Sequence, residues 1–129
     1  MKKSKNQILV IFGASGDLTR RKLIPALYDL HKQNLLPDKF VILGASRTVL
    51  SDEEFRERSD EFLPPGEVVD DFKELLFYQS LSPNEMRDYE LLRYRILKLS
   101  NDFGIDTNCV FYLSTPPSVY GIIAKNLSK

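Results

Sequence analysis

Apolar positions in this chain fall into short continuous runs separated by amphipathic stretches, and the two kinds alternate from end to end. Ile8-Leu9-Val10-Ile11-Phe12 is the first run, β-branched and aromatic throughout, and it stops at Gly13. A run that is apolar on both faces predicts a strand buried between two helix layers, as in a parallel sheet. Leu23, Leu27, Leu30 and then Asn34-Leu35 recur at helical spacing and predict a helix from about Leu18 to Gln33. Pro25 lies near its first turns, where a missing N–H costs least. Phe40-Val41-Ile42-Leu43 predicts a second buried strand, ended by Gly44-Ala45-Ser46-Arg47. Ser51-Asp52-Glu53-Glu54 reads as a capping box that opens a charged helix to about Phe62, and Pro64-Pro65-Gly66 closes it. A short helical stretch, Val68 to Leu75, leads into a third strand, Leu76 to Gln79. Ser82-Pro83-Asn84-Glu85 has the pattern of another capping box, with Pro at the favoured first position. The helix it predicts reaches about Asn101, carries Met86, Tyr89, Leu92, Ile96 and Leu99 on one stripe, and stops near Gly104. Cys109 to Leu113 is the fourth strand, and Thr115-Pro116-Pro117 turns into a last helix, Ser118 to Leu127.

Strands alternating with helices at this spacing predict βαβ units and right-handed crossovers, hence an α/β fold. The expected architecture is a Rossmann-like, doubly wound parallel sheet, incomplete, of about four strands with flanking helices, in the order 3-2-1-4. The whole of 1–129 is read as one such domain. That order leaves Cys109–Leu113, a fully apolar strand, at an open edge, which natural proteins avoid leaving bare. The expectation is that further chain belongs beyond Lys129.

Composition adds mainly exclusions. With 18 basic and 18 acidic side chains in 129 residues the formal charge is zero, which disfavours nucleic-acid binding through bulk charge. One Cys and one His cannot form an internal disulfide or a four-ligand Cys/His metal site. No apolar run approaches the roughly 18 residues needed to span a bilayer, and the Met-Lys-Lys-Ser-Lys start is followed by too few apolar residues for a signal peptide. The expectation is therefore a soluble cytoplasmic domain with no metal, no nucleic-acid partner and no membrane partner.

The most informative residues are Gly13-Ala14-Ser15-Gly16-Asp17-Leu18-Thr19, between the first strand and the first helix. A tight turn there aims backbone N–H groups and the positive end of the helix dipole at a pyrophosphate. Gly13 permits a sharp exit from the strand, and Gly16 lets a phosphate approach the backbone without meeting a Cβ. The spacing is G-x-x-G rather than G-x-G-x-x-G, with Thr19 where a third small residue would pack helix on strand. Arg20-Arg21-Lys22 then puts three cations in the first turn of a helix, where the dipole disfavours each by roughly 0.3–1 kcal/mol. A solvated basic face and a bound anion account for that run equally well on physical grounds.

The turn after the second strand bears on which dinucleotide. A site for NAD normally carries Asp or Glu there, accepting hydrogen bonds from the ribose hydroxyls. Here the strand ends in Ala45-Ser46-Arg47-Thr48, with no carboxylate before Asp52. A guanidinium can pair bidentately with a 2′-phosphate, so Arg47, with Ser46 and Thr48 as hydroxyl donors, favours NADP over NAD. A P-loop is excluded because no Gly-Lys-Ser/Thr follows the first turn. Tyr94 and Lys98 match the Tyr-x-x-x-Lys pair of short-chain dehydrogenases, but they precede the fourth strand whereas that family's catalytic helix follows it. An ordinary helix face is the better reading.

Gly13-Ala14-Ser15-Gly16-Asp17-Leu18-Thr19-Arg20-Arg21-Lys22-Leu23-Ile24-Pro25-Ala26-Leu27-Tyr28 closely resembles the amino-terminal signature of glucose-6-phosphate dehydrogenases. The similarity extends through Gly44-Ala45-Ser46-Arg47 to Phe111-Tyr112-Leu113-Ser114-Thr115-Pro116-Pro117-Ser118-Val119-Tyr120, while Ser51 to Asp106 matches mainly in the order of elements. The resemblance implies oxidation of D-glucose 6-phosphate at C1 to 6-phospho-D-glucono-1,5-lactone with reduction of NADP, the entry to the oxidative pentose phosphate pathway, in cytoplasmic homo-oligomers. It implies that Gly13, Ala14, Ser15, Gly16, Asp17, Leu18, Thr19 and Arg20 cradle the pyrophosphate of NADP. Arg47 would hold the 2′-phosphate with Ser46 and Thr48 assisting. Pro116 and Tyr120 would lie near the nicotinamide, and Lys22 would reach the glucose 6-phosphate. Asp17 also has a simpler role as a helix-start carboxylate stabilised by the dipole.

Two segments of the family pattern do not occur in these residues: Glu-Lys-Pro-Phe-Gly, with a substrate lysine, and Arg-Ile-Asp-His-Tyr-Leu-Gly-Lys-Glu, with the general-base His. The one His, His31, falls on the first helix well past the turn, so no catalytic residue is nominated. The expectation is the NADP-binding part of such an enzyme, inactive as 129 residues alone. A stand-alone non-catalytic nucleotide-binding module and another NADP-dependent Rossmann reductase are the competing readings.

Overall fold

A computed structural model describes residues 6–14, 19–67, 69–105, 109–113 and 120–127, with the backbone but not the side chains of Thr19, Arg20 and Tyr120. The elements alternate as the apolar pattern requires. Strand β1 is Gln7–Phe12, followed by a π-helical turn, Thr19–Leu23, and α1, Ile24–Lys32. Strand β2 is Phe40–Ser46, then come α2, Asp52–Asp60, the single turn α3, Asp70–Lys73, and β3, Leu76–Ser80. Helix α4 is Met86–Phe103, β4 is Cys109–Leu113 and α5 is Tyr120–Leu127.

The four strands are all parallel and lie in the predicted order, β3-β2-β1-β4. Alternate residues of the two central strands feed two separate cores. Ile11 and Ile42 pack with Ile24, Tyr28, Phe55 and Phe72 beneath α1, α2 and α3. Ile8, Val10, Val41 and Leu43 pack with Tyr89, Leu92, Leu99 and Ile123 beneath α4 and α5. This two-sided burial is the reason β1 and β2 read as unbroken apolar runs.

Several local expectations need correction. The first helix begins as a π-helical turn because Pro25 has no N–H to give to the carbonyl of Arg21, so the regular ladder starts only at α1. Strand β2 does not end at Gly44 but runs through it to Ser46. Of the helix expected from Val68 to Leu75, Val68 lies outside the described residues and the helical part of the rest is α3 alone. The capping box at Ser51 forms as predicted, Ser51 Oγ accepting from Glu54 N–H at 3.1 Å and Glu54 Oε1 from Ser51 N–H at 3.0 Å.

The second capping box does not form. Ser82 N–H donates to Asp88 Oδ2 at 2.8 Å, and α4 starts after Glu85 without a side-chain cap. Met86 accordingly leaves the buried stripe and is exposed, while Tyr89, Leu92, Ile96 and Leu99 stay buried. Gly104, at φ 65°, ends α4 in the left-handed conformation that glycine adopts without a Cβ penalty.

The two sheet edges are treated differently. On β3 the outward backbone groups are met by side chains of α2: Arg56 Nε donates to the Leu76 carbonyl at 2.8 Å, and Asp52 Oδ1 accepts from Tyr78 N–H at 2.8 Å. Asp52 also pairs with Arg95 Nη2 at 2.6 Å, which ties α4 to the same edge. Such plugging blocks strand addition. On β4, Val110, Phe111 and Tyr112 are exposed, the apolar edge that the sequence predicts.

Candidate functional site

The carboxyl ends of β1 and β2 are drawn together by backbone bonds. Gly13 N–H and Ala14 N–H both donate to the Ala45 carbonyl, at 2.7 and 3.3 Å. Gly13 has φ 83°, a left-handed conformation open to glycine, so the chain leaves β1 by folding over the end of β2. Ala14 is completely buried. A Cβ on Gly44 would lie 2.6 Å from Ala14 Cβ and 2.9 Å from Phe55 Cζ. Gly44 is therefore a steric requirement. Its missing side chain lets the turn after β1 and the first aromatic of α2 meet over the sheet.

Beyond Gly44, β2 leads into Ser46, Arg47 and Thr48. Arg47 and Thr48 are exposed and Ser46 is half-buried. Among the described residues no carboxylate pairs with Arg47. The turn around Arg47 is held by Tyr78 of β3, whose hydroxyl donates to the Thr48 carbonyl at 2.6 Å and lies 3.2 Å from the Ser46 carbonyl. Ser46 Oγ is in close hydrogen-bond contact with the same hydroxyl. Because that single proton goes to Thr48, Ser46 is the donor in this contact. Ser80 Oγ adds a bond to the Thr48 carbonyl at 3.2 Å, and Leu81 N–H donates to the Ser46 carbonyl at 2.7 Å.

The structure thus brings Gly13, Ala14, Ser46, Arg47 and Thr48 to one end of the sheet. Ser15, Gly16, Asp17, Leu18 and Pro116 lie outside the described residues, as do the side chains of Thr19, Arg20 and Tyr120. Of the basic run, Lys22 is exposed, whereas the Arg21 guanidinium sits 5.9 Å from the centre of the Phe62 ring.

The remaining chemistry-bearing residues lie elsewhere. His31 stands near the carboxyl end of α1, its ring 5.6 Å from that of Phe72. It borders a recess of about 200 Å³ with Asn34, Asp38 and Phe40, at the amino end of β2 and so opposite the turn. Tyr94 is 70% exposed and Lys98 is exposed on α4, an ordinary helix face. Burial pushes the Cys109 thiol above its usual pKa, away from the thiolate that a nucleophile needs. Among the described residues no cluster of His, Cys, Asp and Glu could hold a metal ion, and no helix is long and apolar enough to cross a membrane.

The motifs assign no role to Phe55 or Tyr78, and they contain Gly44 only as the first residue of Gly44-Ala45-Ser46-Arg47. The predicted strand order could have exposed them, since it sets β3 beside β2, where the register pairs Tyr78 with Gly44 and Ser80 with Ser46.

A parallel sheet of order β3-β2-β1-β4, with a glycine turn after β1 and a polar turn after β2, is a doubly wound nucleotide-binding domain. The family model described as glucose-6-phosphate dehydrogenase, NAD binding domain, matches residues 10–129, and the chain belongs to that family. It is 43% identical to the glucose-6-phosphate 1-dehydrogenase of Aggregatibacter actinomycetemcomitans over 98% of this chain and 27% of that protein. It is 33% identical to the Leuconostoc mesenteroides enzyme over 93% and 26%. A solved glucose-6-phosphate dehydrogenase in complex with its substrate glucose-6-phosphate superposes with a TM-score of 0.87 at 28% identity, covering 98% of this chain and 28% of the other. The Mycobacterium avium enzyme gives a TM-score of 0.78 at 28% identity, covering 95% of this chain and 26% of the other. The chain spans about a quarter of the length of the relatives it matches.

Proposed function

We propose that residues 1–129 form the NADP-binding domain of a glucose 6-phosphate 1-dehydrogenase, working in the cytoplasm as part of a longer, homo-oligomeric enzyme that opens the oxidative pentose phosphate pathway. The observation that carries the choice of NADP is Arg47: an exposed guanidinium just past β2, with no carboxylate paired to it among the described residues. A carboxylate at that turn would accept from ribose hydroxyls and repel a 2′-phosphate, whereas a guanidinium attracts one.

In this reading Gly13 and Ala14, their own N–H groups held by the Ala45 carbonyl, shape the turn, and Ser15, Gly16, Asp17, Leu18, Thr19 and Arg20 offer backbone N–H groups to the pyrophosphate. Arg47 and Thr48 face the 2′-phosphate, while Ser46, whose hydroxyl is engaged by Tyr78, supports the turn. Pro116 and Tyr120 border the nicotinamide, and Lys22 reaches toward the phosphate of glucose 6-phosphate. When bound, NADP supplies the acceptor for the hydride leaving C1 of the sugar. The proton of the C1 hydroxyl needs a base. His31, at the other end of the sheet, is not placed to take it.

The complete enzyme should therefore produce NADPH from NADP and glucose 6-phosphate, while residues 1–129 alone show no turnover. Absorbance at the NADPH band in the two preparations reads this directly. Turnover by residues 1–129 would show that the base lies within them, against this assignment. A complete protein that leaves glucose 6-phosphate unoxidised would overturn the substrate.

A further inference from the structure

We propose that Tyr78 is a positioning residue for cofactor selection, its buried hydroxyl bonding the Thr48 carbonyl on one side of Arg47 and the Ser46 hydroxyl on the other, so that the guanidinium is presented in one direction. The proposal rests on the reading of Arg47 as the 2′-phosphate contact. Tyr78 is only 2% exposed, so its hydroxyl exchanges its partners for water with difficulty. Among the described residues it bonds the Thr48 carbonyl at 2.6 Å and the Ser46 hydroxyl, on either side of Arg47, and it lies 3.2 Å from the Ser46 carbonyl. The ring is itself fixed, centred 5.2 Å from that of Phe55, which packs against Gly44 and hence near Ala14.

A long exposed side chain such as arginine loses rotamer entropy when it binds an anion, and a backbone already held in place reduces what else must be ordered. The clamp acts on the turn after β2 and leaves the pyrophosphate turn with its own bonds to Ala45. Its effect is accordingly specific to the nucleotide that carries a 2′-phosphate. A residue that merely stabilises the sheet would affect NADP and NAD alike.

The test is a set of dissociation constants for NADP and NAD in the complete enzyme, for the wild type, Tyr78→Phe, Arg47→Ala and the double variant. Tyr78→Phe keeps the ring on Phe55 and removes only the hydroxyl. It is expected to weaken NADP about tenfold and NAD by less than about twofold. In the Arg47→Ala background it should add no further loss for NADP, because the clamp acts through that guanidinium. Ser80→Ala, which removes the other side-chain bond to the Thr48 carbonyl, should shift the same selectivity in the same direction by a smaller factor, and it serves if Tyr78→Phe does not fold. Equal weakening of both nucleotides, or NADP binding unchanged in Tyr78→Phe while Arg47→Ala loses it, would overturn the positioning role alone. An Arg47→Ala variant that keeps its NADP affinity would overturn the reading beneath it as well.

Discussion

Arg47→Ala, made in the complete enzyme, is expected to weaken NADP about ten- to a hundredfold and to leave NAD within about twofold. A hydrogen bond to a charged group contributes about 1.5–3 kcal/mol, and about 1.4 kcal/mol is tenfold in affinity. The loss should fall at the upper end for a guanidinium that contacts the phosphate through two N–H groups, and at the lower end for one contact. Arg47 is exposed, so its removal leaves no cavity, and no described carboxylate loses a partner. The melting temperature of the nucleotide-free enzyme should accordingly stay put, which separates a lost contact from a lost fold. Arg47→Lys keeps the charge without the planar fork and should recover only part of the affinity. Isothermal titration with the two nucleotides checks each step. Equal losses for NADP and NAD would remove the 2′-phosphate role.

Gly44→Ala should do more damage to the molecule as a whole. The added Cβ would stand 2.6 Å from Ala14 Cβ and 2.9 Å from Phe55 Cζ, both far inside ordinary contact. The Phe55 ring can tilt, though only against Tyr78. Ala14 Cβ is fixed to the backbone of the turn after β1, so relief there means moving the turn. Inserting a methyl group into a packed core typically costs about 1–3 kcal/mol. For a domain of this size that corresponds to a fall in melting temperature on the order of 5–15 °C. Because the displaced segment is the proposed pyrophosphate cradle, both NADP and NAD should bind less tightly, unlike the selective loss in Arg47→Ala. Adding Ala14→Gly to Gly44→Ala removes one of the two clashing atoms and should recover part of the stability, a non-additive result that marks direct contact. Thermal melts and nucleotide titrations of the single and double variants check this.

Much of the fold was legible because burial on both faces leaves a mark that a single chain can carry. Gln7–Phe12 and Phe40–Ser46 are central strands, and their own residues are mostly apolar. The capping box at Ser51 was legible because both of its bonds are local. The one at Ser82 was not, because groups outside the four-residue pattern compete for it. Asp88 takes the Ser82 N–H, and the Pro83 carbonyl is occupied by the Tyr89 hydroxyl at 2.9 Å and Asn126 Nδ2 at 3.2 Å. A local pattern does not report such competition.

The site divides in the same way. Gly13 and Arg47 stand out through position alone, each just past a strand. Gly44 reads in sequence as the end of a strand, whereas its role is to admit Ala14 and Phe55 from other segments. Tyr78 read as one more aromatic in an apolar run. Its hydroxyl matters only because the sheet order sets it beside a turn 30 residues earlier in the chain.

The central claim is that the turns after β1 and β2 together select a dinucleotide bearing a 2′-phosphate. Calorimetric titration of the wild-type complete enzyme with NADP and NAD under one set of conditions tests it most directly. NADP should bind at least about tenfold more tightly, as expected for one charge-assisted contact to the extra phosphate. Equal affinities, or a preference for NAD, would contradict it.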